Sequence, residues 1–360
     1  MKILFSEGEW YYRDLGLDDI EGVIYVFDGM RFYKAPLAEL SQYDAFICAY
    51  YTMPHNVVLT EKFKTLGVRT ILCCDGVFDF SNAFLNIMHR KYGLVQFHPI
   101  LQDYFFCVGK KEAGYFCHGV EAMDYMPKRL ISSKRPSLLP REKKVLVTTA
   151  NTSYFNDDEY ERLFRLVSGV LELLIERDVN FAVRLFDNRL LMDLHVNFNG
   201  LLLNDVGEGF EETLERYSAV VTTPSSVAVV SMFHQRPTAL LVYRDFPMFL
   251  QAGWLVPSVA VFASLLNDFL LADRDRMKIQ DRLYRNYATE NGLSDRISEI
   301  LEKNDGTPAE YRDFINKSYE NMLESRFNFN VEWYVRRLYR YLRRYKFILK
   351  ILNRFKRSIF

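Results

Sequence analysis

The residues of this chain best suited to chemistry stand where short apolar runs end. In TTPSSVAVVSMFHQRPTALLVY (222–243) an apolar run breaks at Pro-Ser-Ser, and a second apolar stretch follows without early charge. Ser225 or Ser226 would cap a helix there, and free backbone N–H groups beside two hydroxyls would equally make a phosphate site. Asp187 in RLFDNRLL follows a run expected to be buried on both faces. Beside Arg184 and Asn188 its carboxylate could be a nucleophile, a base or a ribose ligand, or it could cap its own helix. Glu112 in CVGKKEAGYF falls in the first turn of the element after a run, where a helix N-terminus favours an anion; a solvated charge fits as well. Asp75, ahead of Gly76 in CCDGVFDFSNAF, is either a ligand or a turn former.

Other chemistries find no support. His55, His89, His98, His118, His195 and His234 are scattered, with no H-x3-H and no cysteine at ligand spacing, so no protein-bound metal is expected. A metal-dependent transferase of the D-x-D type is not expected, no G-x-G-x-x-G or Walker A sequence occurs, and there is no G-x-S-x-G elbow. Five cysteines, an odd number without C-x-x-C, sit mostly in apolar runs and read as reduced core thiols of a cytosolic protein. No 18-residue uncharged run exists and the start MKILFSEGEW soon turns acidic, so neither a spanning helix nor a signal peptide is expected.

The elements that must position these residues alternate as in βαβ units. Strands are expected at 3–6, 23–27, 45–50, 70–74 and 104–108, then at 144–149, 181–186, 201–205, 219–223 and 238–243. Helices are expected at 157–178 and 208–218, and a helical region from about 270. Between the two sets lies a segment rich in proline, serine and basic residues. The expected layout is a first α/β domain over 1–130, a linker over 131–142, a second α/β domain over 143–308 and a helical region over 309–360. In open parallel sheets ligands bind at the carboxyl ends of strands. That places Thr149, Asn151, Arg184 and Tyr243 with Ser225 and Ser226 in the second domain, and Glu7, Tyr51 and Asp75 in the first.

The zero net charge hides an asymmetry. Residues 335–360 carry 10 Lys plus Arg and no acid, which leaves 36 basic against 46 acidic groups in the rest, a net of −10. Apolar residues from Leu338 to Phe355 recur every three or four positions between these cations, so the segment is expected to lie on an anionic membrane surface. With an acidic body, nucleic acid is not an expected partner.

These features together resemble GT-B glycosyltransferases of bacterial surface-polysaccharide assembly. YFFCVGKKEAGYFCHGVEAMDYMPKRL (104–130) looks like the end of their acceptor domain, and ERYSAVVTTPSSVAVVSMFHQRPTALLVYRDFP (215–247) like their donor-nucleotide turn. Within that group the chain is most similar to the retaining β-Kdo transferases. The resemblance implies two Rossmann-type, doubly wound domains facing a cleft, with a helical C-terminal extension. It also implies a metal-independent transferase without a cofactor, taking Kdo from CMP-Kdo to a lipid-linked O-antigen or capsule chain at the cytoplasmic face of the inner membrane. Asp187 would be the nucleophile, Glu112 the acid/base, and Ser225 and Ser226 the CMP phosphate ligands. A non-catalytic membrane-associated assembly protein and a nucleotide-sugar epimerase are the alternatives.

Overall fold

The computed structural model describes residues 1–303 apart from Thr52 and Tyr92, together with Tyr334, Leu338 and Tyr341. Its first sheet holds β1 (Lys2–Phe5), β2 (Ile24–Val26), β3 (Ala45–Cys48), β4 (Arg69–Cys73), β5 (Tyr104–Cys107) and β6 (Glu121–Asp124), in the spatial order β2-β1-β3-β4-β5-β6. The second holds β7 (Val145–Thr148), β8 (Phe181–Arg184), β9 (Ala219–Thr222), β10 (Thr238–Leu241) and β11 (Trp254–Val256), in the order β11-β10-β9-β7-β8. Every pairing is parallel. Parallel strands need crossovers, and the crossovers here put apolar cover on both faces of each sheet. Ile3, Phe5, Ile47 and Ile71 face one core of the first domain while Leu4, Phe46, Cys48 and Leu72 face the other, which is why these strands read as continuous apolar runs.

Helices of the first domain are α1 (Glu9–Leu15), α2 (Leu37–Leu40), α3 (Pro54–Thr65), α4 (Phe80–Leu85), α5 (Ile87–Lys91) and α6 (Lys110–Phe116). The rest are α7 (Asp157–Glu176), α8 (Asn188–Asn197), α9 (Phe210–Leu214), α10 (Ser226–Phe233), α11 (Val259–Leu270), α12 (Arg274–Tyr284) and α13 (Leu293–Glu302). The last belongs by packing to the first domain: Leu293, Ile297, Ile300 and Leu301 join its core, and Arg296 donates to the Asp124 carbonyl at 2.8 Å. The chain therefore crosses to the second domain through residues 131–142, which hold no helix or strand, and returns through 285–292.

Three expectations about elements need correction. Residues 201–205 are not a strand; they make a single bridge from Asn204 to Val183, and Leu201 and Leu203 point outward. β6 and β11 were not expected: both are edge strands, β6 of mixed polar and apolar residues and β11 of only three residues, the middle one exposed. Four of the five cysteines are buried as expected, and Cys117 is exposed. The basic segment 335–360 lies outside the described residues apart from Leu338 and Tyr341. No helix among the described residues is long and apolar enough to cross a membrane.

Candidate functional site

The carboxyl ends of the two sheets meet. The loop after β4 reaches the start of α10, where the Val77 N–H donates to the Ser226 hydroxyl at 3.1 Å. Val108, just after β5, shares an apolar cluster with Ala228, Val229 and Met232 of α10. Further along the same seam Phe84 stacks on Phe246, and Phe249 packs against Phe80 and Tyr115. A cavity of about 540 Å³ opens between α4–α5 and the loop after β7, lined by Asn86, Ile87 and Met88 on one side and by Thr152, Tyr154 and Phe155 on the other.

In the second domain, side chains after three adjacent strands converge. The Thr149 hydroxyl after β7, the Ser153 hydroxyl in the same loop and the Ser225 hydroxyl after β9 are all shut off from solvent with no hydrogen-bond partner among the described residues. The two loops are joined by the Ala150 N–H, which donates to the Thr223 hydroxyl at 2.8 Å. Ser225 stands at the N-cap position of α10 yet makes no side-chain cap, which removes the simplest structural reason for a hydroxyl there. An unpartnered buried hydroxyl normally costs about 1–3 kcal/mol. Three of them lie together at the carboxyl ends of β7 and β9. Tyr243, after β10, donates its hydroxyl to the Ser153 carbonyl, so it shapes this loop. Asn151 is exposed beside it.

Arg184 is placed elsewhere. Its buried guanidinium donates to the carbonyls of Asp205 at 2.7 Å and Glu208 at 2.8 Å and to the Thr213 hydroxyl, fastening the loop before α9. Asp187 caps α8, accepting from the Leu190 N–H at 2.8 Å, and both its oxygens lie 3.3 Å from the Tyr154 hydroxyl. Burial and the Asp187 carboxylate push that phenol up to about 12. β8 is the edge strand of its sheet, so Asp187 sits behind the Tyr154 wall of the cavity rather than at the meeting point of the sheets.

The first-domain carboxylates divide sharply. Glu7 is buried after β1 and accepts from the Tyr12 hydroxyl, the Asn56 amide at 3.0 Å and the N–H groups of Ala49 and Tyr50 at 3.1 Å. It ties β1 to the loop after β3, and burial raises its pKa against those donors. Tyr51 is buried with its hydroxyl on the Pro99 carbonyl. Asp75 pairs with Arg129 at 2.9 Å. Glu112 differs: it is 1% exposed, and neither carboxylate oxygen has a well-formed hydrogen bond among the described residues. Burial raises it to about 7, against the pull of its own N–H, the Phe78 N–H and Lys111.

The expected strand ends thus hold Thr149 and Ser225, and Arg244 falls in the one after β10 without being singled out; Ser153 and Tyr287, the latter beside Glu112, lie outside them. The chain does contain one D-x-D, at Asp273 and Asp275; Asp273 caps α12 and Asp275 is an exposed partner of Lys278. Among the described residues no cluster of three or more His, Cys, Asp or Glu could hold a metal ion.

Two doubly wound parallel domains joined by a crossover and a returning helix, with their strand ends apposed, make this a GT-B-like fold. No protein-family model and no curated sequence matches the chain. Among solved structures it is similar to a Listeria monocytogenes protein described as a UDP-N-acetylglucosamine 2-epimerase, at 11% identity and a TM-score of 0.53 over 85% of this chain and 98% of that one. It also matches the wall teichoic acid polymerase TagF at 12% identity and TM-score 0.48, over 90% and 89% of the two chains. A glycosyltransferase from Rickettsia africae matches at 11% and 0.47, over 84% and 90%. At such identities the likeness concerns the fold.

Proposed function

We propose that this chain is a glycosyltransferase that takes a sugar from a nucleotide-activated donor and passes it to a glycan acceptor. The observation that carries the reading is the group of unpartnered hydroxyls of Thr149, Ser153 and Ser225 at the carboxyl ends of β7 and β9. Hydroxyls that lack acceptors suit the oxygens of a phosphate, and the N-terminus of the eight-residue α10 adds a favourable dipole. The meeting of the two domains' strand ends brings an acceptor domain to that phosphate.

In this reading Glu112 is the acid/base. A carboxyl that titrates near 7 can take the acceptor's proton at neutral pH. Asp187 is the nucleophile of a retaining reaction. Its carboxylate bonds to the anomeric carbon as the bond to the donor phosphate breaks, and the acceptor oxygen then displaces it. Its place at the end of β8 behind Tyr154 supports this role only if the sugar enters the 540 Å³ cavity. A CMP donor carrying Kdo, a lipid-linked O-antigen or capsule acceptor, catalysis without a metal or cofactor, and a membrane-facing basic segment at 335–360 rest on the sequence resemblance.

Titration calorimetry with CMP and with UDP, each with and without EDTA, tests the reading, followed by product analysis with the matching sugar nucleotide. Transfer to a glycan supports it. Inversion of the donor's own sugar without an acceptor would make the chain an epimerase on the same fold. Binding of neither nucleotide would sink it.

A further inference from the structure

Arg244 follows β10 with its side chain 2% exposed and engaged across the domain interface. One guanidinium nitrogen pairs with Asp79, on the loop between β4 and α4 of the first domain. Another donates to the Ser153 carbonyl at 2.8 Å. The third, Nε, is buried without a hydrogen bond among the described residues, 3.8 Å from Glu159. The same first-domain loop supplies the Val77 N–H that occupies the Ser226 hydroxyl. Two contacts from residues 77–79 therefore land on the two second-domain side chains that flank the unpartnered hydroxyls of Ser225 and Ser153.

We infer that Arg244 is the cation of this anion site and that Asp79 holds it in reserve. The Asp79 carboxylate occupies Arg244 in the place a phosphate would take, as a latch between the domains. The inference rests on the reading of this strand edge as a nucleotide site. The chemistry is an exchange of one oxyanion for another. A guanidinium presents its N–H groups as a planar fork that fits carboxylate and phosphate alike, and a phosphate brings more charge and more acceptor oxygens. With a phosphate bound, Arg244 keeps its bond to the Ser153 carbonyl, turns its Asp79-facing edge to the ligand, and the nearby hydroxyls of Ser225 and Ser153 gain the acceptors they lack. Releasing Asp79 frees the 77–79 loop from the second domain, so binding and interdomain opening become one event. A site occupied by an internal competitor binds more weakly by the fraction of time it is free.

The test is titration calorimetry of the full chain with CMP, with UDP and with inorganic pyrophosphate, on the wild type, Asp79→Asn, Arg244→Gln and Arg244→Lys. Asn keeps the cap that Asp79 gives to the Ser81 N–H but gives up the charge. The expected result is about tenfold tighter binding for Asp79→Asn, at least tenfold weaker binding for Arg244→Gln, and partial recovery for Arg244→Lys. Equal nucleotide affinity in all four overturns the inference while leaving the nucleotide reading intact. Pyrophosphate binding that needs Arg244, without any nucleotide binding, supports the inference and defeats that reading. Failure of Asp79→Asn to bind any probe more tightly than the wild type overturns the latch even if Arg244→Gln does not fold.

Discussion

Glu112 and Tyr287 share the space above the α-carbon of Gly109: a side chain there would strike the Glu112 carboxylate and the Tyr287 ring, the latter at 2.8 Å. Gly109 also has φ of +113°, so only glycine fits on both counts. Tyr287 arrives on the segment returning from the second domain, its hydroxyl without a partner among the described residues, and burial with the nearby Glu112 raises its pKa. Burial, not an ion pair, is what raises the Glu112 carboxyl.

The Glu112 proton makes stability depend on pH. A carboxyl raised from 4.5 to about 7 contributes stability that is fully present below pH 4.5 and is lost as pH rises through about 7. Glu112→Gln removes the loss, so its stability relative to wild type should rise between pH 4.5 and 8 by roughly 3 kcal/mol at most. Urea unfolding at pH 5 and pH 8 measures this. If Glu112 is the base, the wild-type rate also has a limb near pH 7 that the variant lacks.

Thr149→Val and Ser225→Ala remove hydroxyls that have no hydrogen-bond partner among the described residues. Each should therefore leave stability unchanged or raise it, within about 1 kcal/mol. Nucleotide affinity should fall about tenfold for each. Thermal melts and calorimetry on the same samples separate the two effects; a variant that loses stability and keeps affinity would mark its hydroxyl as structural.

The two parallel sheets were legible because central strands buried on both faces leave continuous apolar runs, as at Ala45–Cys48 and Ala219–Thr222. Edge strands such as Glu121–Asp124 leave no such mark. The run at 201–205 misled because three leucines read as buried although only Leu202 is. At the site, Ser225 was legible as a residue that ends a strand. Whether Arg184 or Arg244 faces the cleft was not, because both follow apolar runs beside an aspartate and only the tertiary contacts separate them. Glu112 showed as a first-turn acid; its burial depends on Tyr287, far along the chain.

Arg184 gives a contrasting prediction. Its guanidinium satisfies two carbonyls and a hydroxyl in a buried setting. Arg184→Met should destabilise the second domain by about 3 kcal/mol, since those acceptors lose their donor. Nucleotide affinity of the folded protein should stay within twofold of wild type. A large loss of affinity with an unchanged melt would return Arg184 to the binding site.

The returning helix separates two truncations. Ending the chain at Gly292 strips Leu293, Ile297, Ile300 and Leu301 from the first domain's core, at about 1.5–3 kcal/mol for each buried side chain, and the first domain should not fold. Deleting 336–360 leaves that helix in place. This second protein should fold normally and lose flotation with vesicles of anionic lipid, if the basic segment is what holds the membrane. Equal flotation with and without it would assign the segment another role.

Asp187 is the decisive carboxylate for mechanism, because its observed bonds already explain its presence. It caps α8 through the Leu190 N–H and receives the Tyr154 hydroxyl. Asn caps helices about as well as Asp, so Asp187→Asn should change stability by less than about 1 kcal/mol. It should leave nucleotide affinity intact as well, because neither contact is made to Thr149, Ser153, Ser225 or Arg244. Removal of the negative charge nevertheless deprives a retaining reaction of its nucleophile, and turnover should fall by at least a thousandfold. Tyr154→Phe supplies the control: it removes the hydroxyl donor while keeping the carboxylate, and should retain most activity. Wild-type turnover in Asp187→Asn would leave only the cap, and the search for a nucleophile would pass to carboxylates on the first-domain side of the seam.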